Sequence, residues 1–177
     1  DLSSLPESTT FPLNEKIAVG NLTFDTLGFN NYAGFTGYAP EGCTAVTTVL
    51  MGDSYDFWKQ CRENGTYEAE KQKVAEAVIH AFEQKYPSFA GKVAVWDVAT
   101  PLTYERYLGS YKGSWMSLMK KGQANVQYSC KPETISNLYF AGQRLTSPGG
   151  CPVALTTGRT AVQHLCLDTD TVFQQNF

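Results

Sequence analysis

Residues 137–166, NLYFAGQRLTSPGGCPVALTTGRTAVQHLC, constrain the fold of this chain most, because three conformational signals follow one another within them. The apolar run Leu138-Tyr139-Phe140-Ala141 stops at Gly142 and predicts a buried strand. A loop with Thr146, Ser147, Pro148, Gly149 and Gly150 follows. Pro152 then stands where a first helical residue is favoured, since its missing N–H would go unpaired there anyway. Val153, Ala154, Leu155, Ala161, Val162, Leu165 and Cys166 fit a buried helix. Such an arrangement brings free backbone N–H groups and the positive end of a helix to one place, where an electron-rich ligand can meet them. The glycine pair lets the backbone approach closely, with no Cβ in the way. On spacing alone the same pattern also suits a plain structural connection.

The rest of the chain predicts an α+β fold, a mainly antiparallel sheet with packed helices. Residues 17–19 and 22–27 read as short strands on either side of Gly20-Asn21. Residues 43–51, CTAVTTVLM, are β-branched and apolar between two glycine turns and predict the clearest strand. Residues 93–98 predict another by alternation. Residues 55–62 predict a short helix. Residues 67–86 predict a long one, with Val74, Val78, Ala81 and Phe82 on one stripe and Pro87 as its stop. His80 reads as a surface histidine of that helix. Residues 29–40 carry Phe29, Tyr32, Phe35 and Tyr38, which suit either packing on a sheet or an aromatic wall for an apolar substrate. Residues 1–10, rich in Ser, Thr and Pro, are expected to be ordered only where something docks on them.

Bulk numbers narrow the function. With 177 residues, 42% of them hydrophobic, the chain can bury a real core. A net charge of -3 without a basic cluster argues against a nucleic-acid partner. No run is long enough to span a bilayer, so a cytoplasmic location is expected, and contact of an apolar patch with a membrane surface stays open. Cys43, Cys61, Cys130, Cys151 and Cys166 are an odd number without CxxC spacing, which argues against both a disulfide framework and a zinc site and favours a reducing compartment; no metal is expected. The sequons at Asn21 and Asn64 would matter only in a secreted protein and read as chance. His164 and Cys166 lie two residues apart on different helix faces and do not form a nucleophile pair. There is no P-loop, HExxH, GxSxG or GxGxxG.

Ala141-Gly142, Gly149-Gly150, Pro152 and Gly158-Arg159 together resemble the C-terminal flavin-contacting segment of the FAD-dependent phytoene desaturase, carotenoid isomerase and retinol saturase group, among the amine-oxidase-like flavoproteins. A second block, TPLTYERYLGSYKGSWM over residues 100–116, resembles the same group, and the likeness extends over most of the chain from about Tyr38 onward. The resemblance implies a substrate-binding region over residues 1–136 and, over 137–177, the strand–loop–helix return segment of an FAD-binding domain. It implies that Gly142, Gln143, Gly149, Gly150, Cys151, Pro152, Val153 and Ala154 contact the flavin. Backbone N–H groups of the loop and the positive helix end would stabilise negative charge at the reduced flavin's N1 and C2 oxygen. Gln143 stands where related flavoproteins often have an acidic residue, and a third glycine after the pair is missing. Tyr104, Arg106, Tyr107 and Trp115 are the candidate substrate contacts, although Arg106 suits a structural role beside Glu105 better, and Arg159 suits an ion pair or carbonyl contact.

The absent GxGxxG implies that an N-terminal dinucleotide-binding half lies outside this sequence and is its partner in the site. The expected activity is therefore that of the parent enzyme: hydride transfer between FAD and a C–C or C=C bond of a polyene or other apolar substrate. The fragment alone would be inactive, and no catalytic acid or base is named. A non-redox binding module for an apolar ligand or partner protein is the alternative.

Overall fold

A computed structural model describes residues 5–114 and 127–174. The architecture is α+β, with a three-stranded antiparallel sheet and four α-helices among the described residues. By internal contacts the chain divides into two compact units, Asp1–Arg106 and Tyr107–Phe177.

The first unit is built on a hairpin of β1 (Ser8–Val19) and β2 (Leu22–Asn31), paired from Ser8 opposite Asn30 to Val19 opposite Leu22. Its two-residue turn, Gly20-Asn21, puts Gly20 at φ 59, as hairpin turns of this length require of their first residue. The inward-facing residues of β2 change phase, from the half-buried Leu22 and Phe24 to the buried Leu27, Phe29 and Asn31. Opposite that slip, β1 breaks register between Pro12 and Ile17, which keeps Phe11, Ile17 and Val19 facing the core. β3 (Val46–Thr48) adds to β2, with Val46 opposite Asn31.

Two helices cover this sheet. α1 (Tyr55–Glu63) contributes Trp58 and Cys61 to the interior, and α2 (Tyr67–Lys85) contributes Val74, Ala75 and Ala81. Phe29 meets Phe82 edge to face at 5.4 Å and Tyr86 at 5.7 Å, so the aromatic end of α2 closes over the hairpin. Tyr86 caps α2, and Pro87 opens a short 3₁₀ turn, as its ring and missing N–H dictate. α3 (Pro101–Leu108) buries Leu102 in the same core. Tyr67 and Thr100 share a 2.6 Å hydroxyl bond, and Tyr55 binds both carboxylate oxygens of Glu105.

Several expected strands differ. Residues 43–51 contribute only Val46–Thr48 to the sheet. The chain before β3 is held by isolated bonds, Thr44 Oγ1 to Asn31 Oδ1 at 2.7 Å and Tyr32 N–H to the Ala45 carbonyl, and not by a ladder. Residues 93–98 form no strand; Val95 is 87% exposed, and Asp97 is tied to Lys71 and to the Val98 N–H. Alternating valines make a strand only where another strand offers its ladder, and none among the described residues does. Residues 8–10, expected to wait for a docking partner, are part of β1, and Leu5 is buried. The partner that orders them is β2: Asn31 donates its N–H to the Glu7 carbonyl and its Nδ2 to the Leu5 carbonyl.

The second unit holds a 3₁₀ turn, Tyr111–Gly113, and α4 (Cys151–Asp168). The helix begins at Cys151, one residue before the position that Pro152 predicts. Residues 138–141 make no named strand: Phe140 N–H reaches the Cys130 carbonyl at 2.7 Å, and no second strand among the described residues runs alongside. Nor is α4 the buried helix expected, for only Thr157 and Ala161 are buried, and Leu155 and Leu167 are more than three-quarters exposed at 76% and 78%.

Candidate functional site

The loop before α4 has a backbone that glycine makes possible. Gly142, Gly149 and Gly150 stand at φ 140, 102 and 86, a region L side chains rarely occupy. Gly150 is the helix N-cap and has no side chain with which to cap it, so the first-turn N–H groups of Cys151 and Val153 are uncapped. The other two donors expected here are spoken for. Gly150 N–H goes to Gln143 Oε1 at 3.3 Å, and Ala154 N–H makes the first helical bond, to the Gly150 carbonyl at 3.1 Å. The oxygen of Gln143 thus braces the loop. A Cβ at Gly142 would find no other atom within 4 Å, so the backbone there can be approached from that side.

Sequence reasoning missed a second brace. Thr157, one helical turn beyond Val153, is buried, and its Oγ1 accepts the Gly142 N–H at 2.9 Å while lying 2.7 Å from the Val153 carbonyl. Its own carbonyl lies 3.7 Å from the buried Cys130 thiol. A polar β-branched residue on the inward face of an apolar helix was the available signal.

The two blocks that carry the resemblance meet in this unit. Arg144 donates to the Ser114 hydroxyl at 3.2 Å and, through its other terminal nitrogen, to the Ser114 carbonyl. Ser110, just before the 3₁₀ turn, is buried with its hydroxyl unpartnered, a costly condition unless something else supplies a bond. Tyr104 is half-buried on α3, while Arg106 and Tyr107 are exposed there; Trp115 lies outside the described residues. Arg159 has its guanidinium 5.8 Å over the Phe173 ring.

The far end of α4 is tied down electrostatically. Asp168 accepts from Lys131 Nζ at 2.6 Å and from the Tyr139 hydroxyl at 2.5 Å. The Lys131 bond, and after it the Tyr139 bond, hold the Asp168 carboxyl below its ordinary pKa, and the bond to Asp168 holds the Tyr139 phenol above its own.

Two depressions lie elsewhere. One of about 60 Å³ is lined by Glu15, Lys16, His80 and Gln84 among others. The other, of about 380 Å³, follows α4 past Thr160, His164 and Leu167 to Phe173. Neither is lined by the loop residues. Among the described residues no group of His, Cys, Asp and Glu could hold a metal ion, and no helix is long and apolar enough to cross a membrane.

The chain stands against three sets of known proteins: protein-family models, curated proteins and solved structures. None matches.

Proposed function

We propose that this chain carries the flavin-contacting end of an FAD-dependent oxidoreductase that acts on C–C or C=C bonds of a polyene or other apolar substrate. The observation that carries the reading is the first turn of α4, which Gly150 leaves without a side-chain cap behind a glycine-bent loop, so that the Cys151 and Val153 N–H groups are the donors it would offer. None of the eight residues from Gly142, Gln143 and Gly149 to Ala154 is charged, so recognition by them would rest on backbone N–H groups and the helix dipole. The open space beside Gly142 and the positive helix end fit a flavin. FAD would supply the hydride chemistry when bound. The residues of this chain would orient it and favour the electron-rich form through backbone dipoles alone.

The exposed apolar side chains of α4, Leu155, Val162, Leu165 and Leu167, support the second half of the reading. A helix that leaves so much apolar surface uncovered suits an element that another part of the protein normally covers. In this reading that part is a dinucleotide-binding half, which would hold the ADP portion of FAD.

The test removes one N–H and nothing else that matters. Cys151 is the first helical residue, where proline is tolerated, so Cys151→Pro deletes the donor and Cys151→Ala keeps it. In the full-length protein the alanine variant should bind FAD like the parent, and the proline variant about tenfold more weakly, the cost of roughly one hydrogen bond. Equal binding by both variants would mean that this turn does not touch the flavin.

A further inference from the structure

We propose that Thr157 is a positioning residue, whose buried hydroxyl sets where the Cys151 and Val153 N–H groups stand in front of the flavin. This rests on the flavin reading above and adds to it a residue that does not touch the ligand.

The geometry is specific. Thr157 Oγ1 accepts the Gly142 N–H at 2.9 Å and reaches the Val153 carbonyl at 2.7 Å, so one oxygen joins the end of the Leu138-to-Ala141 run to the first turn of α4. It also lies 3.2 Å from the Ala154 carbonyl and 3.2 Å from the Gly142 carbonyl. A hydroxyl has one proton to give, and the shortest acceptor is Val153, which leaves its lone pairs for Gly142. Residues 143–149 span the gap between these two anchor points, and Gln143 is the other brace across it. Gln143 is half-buried and its bond is long at 3.3 Å, whereas Thr157 is 94% buried, with 6% of its surface exposed. The better-shielded brace should dominate the geometry.

A structural role by itself would require only that something fill the space. Valine fills it, having nearly the shape of threonine, but it cannot accept the Gly142 N–H or donate to the Val153 carbonyl. The first turn of α4 is then free to relax away from Gly142, and the uncapped donors move with it. Donors displaced from the flavin stabilise its electron-rich form less, so the flavin's midpoint potential falls.

The experiment compares Thr157→Val and Thr157→Ser with the parent in the full-length protein, reading FAD affinity and midpoint potential. The valine variant should bind FAD about tenfold more weakly, as for one lost internal bond, with a more negative potential, and serine should restore both. Valine that leaves both unchanged in a flavin-binding parent overturns the positioning role while the flavin reading stands. A parent that binds no flavin overturns both. Should valine cost the fold, Thr157→Cys, similar in volume and only a weak hydrogen-bond partner, carries the same two expectations.

Discussion

At the scale of single residues, buried polar groups do much of the specifying. Asn31 is 95% buried, with 5% of its surface exposed, at the end of β2, and both ends of its side-chain amide are bonded. Oδ1 accepts from Thr44 and from the Ala33 N–H, and Nδ2 reaches the Leu5 carbonyl. It therefore ties two separate stretches of chain, around Leu5 and Thr44, to one strand end, and bonds the turn that follows it at Ala33. Asn31→Ala leaves those groups without partners in a dry site and should destabilise the first unit by about 1–3 kcal/mol, read from the chemical-denaturation midpoint. Asn31→Asp should cost more, since it buries a charge and loses the donor. An alanine variant as stable as the parent would show that water replaces all three bonds. The partners of Asn31 and Thr157 left no mark in the sequence, although a threonine on the inward face of an apolar helix is itself a signal. Each bonds to backbone, Asn31 to Leu5 and Thr157 to Gly142 fifteen residues away, and no spacing rule records such pairs.

At the scale of elements, what was legible is what local rules govern. The helices α1, α2 and α4 follow from periodicity and from stops and starts that act within one turn, Pro87 and Pro152 among them. Residues 93–98 and 138–141 have strand-like composition, yet a ladder needs a neighbour that composition cannot supply, so neither forms one. The short strands on either side of Gly20-Asn21 were legible, whereas the extension of β1 back to Ser8 and of β2 on to Asn31 was not, because each is held by the other. The glycines of the loop were legible as well, through their conformational freedom, but the occupancy of the Gly150 N–H by Gln143 was not.

The same element scale carries a pH prediction for α4. The folded pKa of Asp168 lies below the unfolded value of about 3.9, so its ties to Lys131 and Tyr139 are at full strength above that pH. Their contribution is lost as pH falls through the folded pKa. Amide protection at the C-terminal end of α4 should therefore drop on acidification below about pH 4, and Asp168→Asn should lack that step. A parent whose protection there is the same at acid and neutral pH would contradict it. With so few buried residues, α4 and its loop should also exchange amide hydrogens faster than α2, whose Val74, Ala75 and Ala81 lie in a continuous core. Exchange in α4 as slow as in α2 would show that its exposed face needs no cover.

At the scale of the whole molecule, the two units differ in how they are made. The first has a core of Leu5, Phe11, Leu27, Phe29 and Trp58 that closes on itself. The second presents an apolar helix whose first turn is uncapped and whose outer face is bare. Such a unit makes sense as half of a site, and the account stands on that claim. The direct measurement is an FAD titration, followed by flavin absorbance and fluorescence, of these 177 residues alone and of the same residues joined to the dinucleotide-binding half that the proposed function requires ahead of them. The account predicts no saturable binding in the first case and tight binding in the second. Tight binding by the 177 residues alone would contradict the half-site, and no binding in either would contradict the flavin itself.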